Sequence, residues 1–251
     1  MAPFARPPSW RLFGVRLLHL NLGLVVYGLS IALTLRAGIG LGPWDVFHQG
    51  AALRTPLSIG QVMVLAGFAL LLYSGFVARV RIGIGTVLNM ILIGVWVDVF
   101  LARPWFPAAG GWLDGAGLFA LGLTLNGVAT GLYITAGLGA GPRDGFVLGL
   151  AAMTRAPVRR VRTSVELVVF AVGWALGGSV GVGTIAFALG IGPAMQAGLR
   201  LFSGLERRYR RADRRVGARD AGRDAGRNAG HEAGRNAGHE SAGEVPRAAT
   251  D

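Results

Sequence analysis

Two short stretches hold the side chains best placed to do chemistry. In Gly40-Leu41-Gly42-Pro43-Trp44-Asp45, with His48 following, and in Gly139-Ala140-Gly141-Pro142-Arg143-Asp144, a carboxylate lies two residues after a proline that follows spaced glycines. Proline at the first helical position loses no hydrogen bond, because that N–H has no partner within the helix, and an acid in the first turn faces the positive end of the helix dipole. Each stretch therefore predicts a helix start. The runs that follow, Trp44 to Leu53 and Asp144 to Met153, are about ten residues, ~15 Å of helix, too short to cross a bilayer. They read as half-helices or interfacial helices.

The chemistry such residues offer is binding. An Asp at a helix start stabilises it by about 0.3–1 kcal/mol wherever the helix lies. Within hydrocarbon the same carboxylate costs ~2.5–3.5 kcal/mol on insertion scales, and persists mainly where a proton, a cation or a substrate compensates it. Depth separates the structural Asp from the binding one. Arg143 is spaced either to pair with Asp144 or to meet an anionic group arriving at the free helix N–H groups, and His48 either titrates near neutrality or holds a structural hydrogen bond. The candidate substrate-binding residues are Asp45, Asp144, Arg143, His48, Gly40, Gly42, Gly139 and Gly141, the glycines letting the backbone bend and approach a solute.

Catalytic chemistry has little foothold. There is no Cys, and His19, His48, His231 and His239 are too dispersed to form a ligand set. The Gly-rich loops lack the Lys and Ser/Thr of a phosphate-binding loop. No catalytic residue, metal site or cofactor is expected, and the chain is not expected to be an enzyme.

The elements that position these loops are membrane spans. Of 251 residues 52% are hydrophobic and 15% charged, a ratio that water-soluble domains rarely reach. Six apolar stretches are long enough to cross ~30 Å of hydrocarbon: Leu12 to Leu35, Ile59 to Ala78, Gly85 to Leu101, Gly115 to Ala136, Thr163 to Gly178 and Thr184 to Phe202. The fifth begins in a polar segment whose Arg162 and Glu166 are spaced to pair across one turn. The first follows Arg6, Arg11 and Arg16 but is longer than a signal-peptide apolar region, and reads as an uncleaved span. With the N-terminus inside, cytoplasmic segments carry 17 Arg, and outer segments only Arg36, Arg54 and Arg103. This asymmetry predicts six spans with both termini cytoplasmic, in a bacterial inner membrane.

Within the spans, Asn21, Asn89 and Asn126 are expected to bridge helices or line a pore, and Gly127 and Gly131 form a GxxxG face for close approach to the first span or a second subunit. Trp96, Asp98, Trp105 and Trp112 read as an interfacial belt without a site. After the last span come six Arg between Arg207 and Arg215, suited to anionic lipid head groups. A tetrapeptide then recurs (RDAG, RDAG, RNAG, HEAG, RNAG) from Arg219. Its composition predicts disorder over residues 204–251, and its near balance of acids and bases with few aromatics argues against nucleic acid.

The core is duplicated. AGIGLGPWDVFHQG (Ala37 to Gly50) matches AGLGAGPRDGFVLG (Ala136 to Gly149) at an offset of 99, and RIGIGTV (Arg81 to Val87) echoes SVGVGTI (Ser179 to Ile185). Three spans per copy is an odd number, so the second copy must run in the opposite sense: residues 12–102 and 103–203 read as inverted three-span repeats. A cytoplasmic segment (1–11) precedes them and the Arg-rich tail (204–251) follows. Matching Gly- and Pro-interrupted segments in such repeats point to a transporter's central site.

These linked motifs, with GIGTVLN at Gly83 to Asn89 and GVGTIAFALGIGP at Gly181 to Pro193, resemble the YczE branch of the YczE/YitT group of bacterial integral membrane proteins. The resemblance covers roughly Leu17 to Arg200 and implies a multi-span inner-membrane protein, with no reaction or ligand attached. It also implies that the Arg and RDAG tail stands where some YitT-type members carry a soluble domain.

The expectation is thus an all-α membrane protein of about six spans. It would be a secondary transporter or permease for a small polar solute and a coupling ion, with its site between the two Gly-Pro-Asp loops. The alternative is a scaffold or assembly factor that holds a membrane partner and packs without a polar cavity. Fold class alone does not separate these. On either reading the expected partners are the lipid bilayer and, as a homodimer, a second copy of the chain.

Overall fold

A computed structural model describes residues 10–77, 83–139 and 141–241 of the chain. All the regular structure among them is helical: α1 (Trp10–Ala37), α2 (Pro43–Leu53), α3 (Ile59–Leu72, prolonged by a π-turn, Tyr73–Val77), α4 (Ile84–Ala102), α5 (Trp112–Thr135), α6 (Pro142–Thr154), α7 (Val158–Ala175) and α8 (Val182–Ser241). Arg6, Arg79 and Arg81, which entered the orientation count, and residues 242–251 lie outside the described residues. The bundle is the compact unit Gly14–Glu206.

Five helical stretches are long and apolar enough to cross a membrane: Leu12–Ala37, Ile59–Phe76, Ile84–Ala102, Trp112–Thr135 and Val182–Tyr209. They match five of the six expected spans. The sixth, α7, has the length but carries Arg159, Arg160, Arg162 and Glu166 in its first half, which is why it fails on apolarity. Helix faces expose Phe68, Val95, Leu121, Leu167 and Leu189, side chains that a bilayer would cover.

Small residues set the packing. An added Cβ on Gly23 of α1 would meet Leu132 and Tyr133 of α5, and one on Gly122 of α5 would meet Ser30 and Thr34 of α1. As the contact moves up one helix it moves down the other, so α1 and α5 pack antiparallel. Gly28 of α1 lies against Trp96 of α4, and its counterpart Gly127 of α5 lies against Ala194 of α8. The GxxxG face of Gly127 and Gly131 is thus used on α8, at Ala194 and Gly198, and not on α1 or a second subunit. The motif fixes closeness but not the partner.

The halves also exchange elements. α2 packs on α7, and α6 on α3. A core cluster of Leu20, Leu24, Ile31, Met63, Ile93, Val97, Tyr133 and Ala136 ties the two halves together. Asp98, assigned no site, has a structural one. It accepts hydrogen bonds from Ser58 Oγ and from Gly60 N–H at 2.9 Å, closing the N-terminus of α3 beside the Ser58–Gln61 capping box.

Beyond Glu206 the chain belongs to a separate unit. The stretch from residue 204, expected to be disordered, is described as the continuation of α8 to Ser241. The tetrapeptide repeat is close to the 3.6-residue turn. It sets Ala, the strongest helix former, at every fourth position, and Asp three residues before Arg at Asp220/Arg223 and Asp224/Arg227.

Candidate functional site

The two glycine loops are built alike. After α1, Gly38 (φ 67°) and Gly40 (φ 118°) turn the chain before Gly42 caps α2; after α5, Gly137 (φ 69°) and Gly139 (φ 141°) do the same before Gly141 caps α6. Only glycine takes up these larger positive φ angles without strain. The turns let each loop reach the opposite half. Gly183 N–H donates to Ile39 C=O at 2.8 Å, and Gly85 N–H donates to Leu138 C=O at 3.0 Å. Gly40 thereby lies on Thr184 at the start of α8, and Gly139 on Thr86 at the start of α4.

Since α1 and α5 are antiparallel, the loops leave from opposite ends of that pair. Gly115, near the start of α5, abuts Ala37 and Ile39 at the end of α1. Yet the Arg143 guanidinium stands 4.7 Å over the Trp44 ring. Both chains must turn back toward the middle of the bundle to allow this contact. Trp44 and Arg143 occupy matching positions of the duplicated motif, so the two copies touch through equivalent residues.

Around that contact is a cavity of about 560 Å³, lined by the N-terminal turns of α2 and α6 with Tyr27, Asn89, Asn126, Tyr133, Arg162 and Glu166, among others. Asp45, His48, Arg143, Asp144, Gly42 and Gly141 all border it. Gly40 and Gly139 do not; they secure the loops one step behind. Asn89 and Asn126 face the cavity, whereas Asn21 is spent on its own helix, donating to Leu17 C=O at 2.8 Å.

The charged groups sort into two sets. Arg162 Nη1 is 3.9 Å from Asp144 Oδ1, and its Nε donates to Glu166 Oε1 at 3.1 Å. The one-turn pair foreseen on α7 therefore exists, but Arg162, not the adjacent Arg143, is the cation beside Asp144. A helix start points consecutive side chains in different directions, and Arg143 is directed to Trp44. On the other side, Asp45 is 7% exposed and His48 2%. His48 Nδ1 is 3.6 Å from Asp45 Oδ1, beyond hydrogen-bond reach, and neither atom has another hydrogen-bond partner.

The two ends of the cavity are not equally closed. At α2–α7, Gly173 and Gly178 meet the backbone of Val46 and Phe47, Ser179 N–H donates to Gln49 Oε1 at 2.7 Å, and Arg54 Nε donates to Leu176 C=O at 2.9 Å. At the matching α6–α3 contact, a Cβ added to Gly145 would lie 3.7 Å from Ser74 Oγ, in ordinary contact, and Tyr73 packs its ring 5.0 Å from Phe146. The Asp45 side chain is accordingly 10% exposed and that of Asp144 39%.

Sequence reasoning missed Arg162, Glu166, Tyr27 and Tyr133 as cavity residues. The charged pair inside the fifth stretch was the available signal for the first two; nothing in the local pattern marks the tyrosines.

A profile for a family of unknown function, DUF6198, matches residues 14–199. The chain is 34% identical over 168 residues to the "Uncharacterized membrane protein YczE" of Bacillus subtilis (strain 168), covering 66% of this chain and 77% of the relative. It is 36% identical over 183 residues to an "Uncharacterized protein" of Haemophilus influenzae (72% and 82%). With "Uncharacterized protein YyaS" of Bacillus subtilis it shares 22% over 176 residues (68% and 86%). No solved structure matches.

Proposed function

The chain belongs to the DUF6198 family as a YczE-type membrane protein, and from the geometry of its cavity we propose that it is a secondary transporter for a small polar solute. One observation carries the reading. The starts of α2 and α6 leave opposite ends of an antiparallel helix pair and meet in one cavity, each bringing an Asp. Broken helices whose N-termini converge on a polar centre are the form that substrate sites take in inverted-repeat transporters.

In this mechanism α7 crosses as a sixth span with Arg162 and Glu166 turned to the cavity, and the halves lie in the inner membrane as inverted repeats with both termini cytoplasmic. The antiparallel α1–α5 contact and the reciprocal loop exchange support that arrangement. Asp45 and Asp144 bind the coupling ion and help to hold the solute. The tight α2–α7 contact and looser α6–α3 contact correspond to a state closed at one face and open at the other. Rocking one repeat against the other would loosen the first contact and tighten the second. A cavity of this volume with Asp45, Arg143, Asp144, Arg162 and Glu166 on its walls is not what a tightly packed scaffold needs, which favours transport over that alternative.

Reconstituted protein should drive uptake from a panel of amino acids, organic acids and ions, with Asp45→Asn and Asp144→Asn each lowering it at least about tenfold. Full uptake by both variants would remove the Asp residues from the mechanism. If the unmodified protein moved nothing and a membrane partner co-purified with it, the scaffold reading would replace transport. Reporters at Thr55 and Ala156 should lie on opposite sides of the membrane; the same side for both would refute the inverted arrangement.

A further inference from the structure

The charges of the cavity do not all find partners. Asp144, Arg162 and Glu166 form a linked set, half-exposed to solvent. Asp45 and Arg143 stand outside it. Asp45 is buried with Oδ1 unbonded, and among the described residues no Arg or Lys lies within 4.0 Å of its carboxylate. His48 Nδ1, at 3.6 Å, is too far to bond it. Among the described residues Arg143 has no carboxylate within 4.0 Å, and its guanidinium stands over the Trp44 ring, 4.7 Å from the centroid. Its five N–H donors form a fork that suits an oxyanion.

One cavity therefore presents an unpaired acid from the first half and an unpaired base from the second. They are joined through Trp44, whose ring lies 6.2 Å from that of His48. A buried carboxylate without compensation is costly, and the matching ligand carries a positive group for Asp45 and a negative group for Arg143. Building on the transport reading, we propose that the cavity binds a zwitterion of amino-acid type, its ammonium on Asp45 and its carboxylate on Arg143. A simple anion would leave Asp45 uncompensated, and a simple cation would meet Arg143 with nothing to offer it. Tyr27, Tyr133 and Phe187 on the walls suit an apolar side chain. The volume of about 560 Å³ falls within the range of roughly 300–1,000 Å³ usual for small-molecule sites.

The test uses ligands that differ by one charged group. Purified full-length protein in detergent is titrated calorimetrically with alanine, leucine and phenylalanine. Each is compared with its matched amine (ethylamine, 3-methylbutylamine, phenethylamine) and matched acid (propionate, 4-methylpentanoate, 3-phenylpropionate). At least one amino acid should bind, with both of its analogues at least about tenfold weaker. Asp45→Asn should reduce its affinity to that of the acid, and Arg143→Gln to that of the amine. The proposal is overturned if no amino acid binds, if either analogue equals its parent, or if binding survives both substitutions. Should a variant misfold, the analogue comparison on the unmodified protein decides alone. Uptake of an ion or organic acid without amino-acid binding would overturn this inference and leave transport standing; amino-acid binding without flux in proteoliposomes would do the reverse.

Discussion

Replacing Gly40 by Ala isolates the loop exchange that holds both halves together. A Cβ there would lie 2.7 Å from Gly181 N, 2.8 Å from Thr184 Oγ1 and 2.9 Å from Thr184 N, with φ at 118°. Two of those three atoms are backbone at the start of α8 and cannot swing aside. A non-glycine residue in so sparse a backbone region costs about 1–3 kcal/mol, and overpacking against fixed atoms costs about 1–3 kcal/mol more. Part of this relaxes, which leaves roughly 3–5 kcal/mol. Gly38 is the internal control: its φ is 67° and nothing lies within 4 Å of the added carbon, so Ala there costs only ~1–2 kcal/mol. Denaturant titration of both variants in detergent, read by far-UV circular dichroism, should separate them by about 2–3 kcal/mol. Hydrogen exchange should also show faster loss of protection at the Gly183 amide, whose bond to Ile39 closes the contact. Equal stability of the two variants, within about 0.5 kcal/mol, would refute the reasoning.

Three further outcomes are expected. Asp98→Ala leaves Ser58 and the Gly60 amide without their acceptor and should destabilise the protein by about 1–3 kcal/mol in the same titration. Gly127→Leu drives a side chain into the Ala194 backbone and should lower the thermal midpoint more than Gly14→Leu, whose added carbon meets nothing within 4 Å. Deletion after Arg215 removes a segment outside the compact unit Gly14–Glu206, and should leave yield and the thermal midpoint in size-exclusion chromatography unchanged.

Much of the architecture is legible because its determinants are local. The spans follow from apolar length, the short α2 and α6 from Gly-Pro-Asp, and the duplication from glycines repeating at one offset. Partner choice is not local. The GxxxG spacing at Gly127 and Gly131 is the same whether α1, α8 or a second subunit lies against it. Arg143 precedes Asp144 in the chain, yet Arg162 on another helix is the cation beside that Asp. The two acids looked equivalent, but Asp45 is enclosed and Asp144 accessible because α2 and α6 grip their neighbours unequally.

The reciprocal docking of the loops also sets an order of assembly. When Ile39 leaves the ribosome, the amide that will cap its carbonyl is about 140 residues further along the chain. The first half must therefore wait in the bilayer with an open loop, and contacts of such long sequence separation form slowly. Neither half can finish folding alone. Each half nevertheless carries both parts of the joint, a loop to give and a helix start to receive. Two identical copies of one half, inserted in opposite senses, would satisfy each other as a closed two-fold pair. In the present chain the link between α4 and α5 keeps the two partners of that joint in one polypeptide.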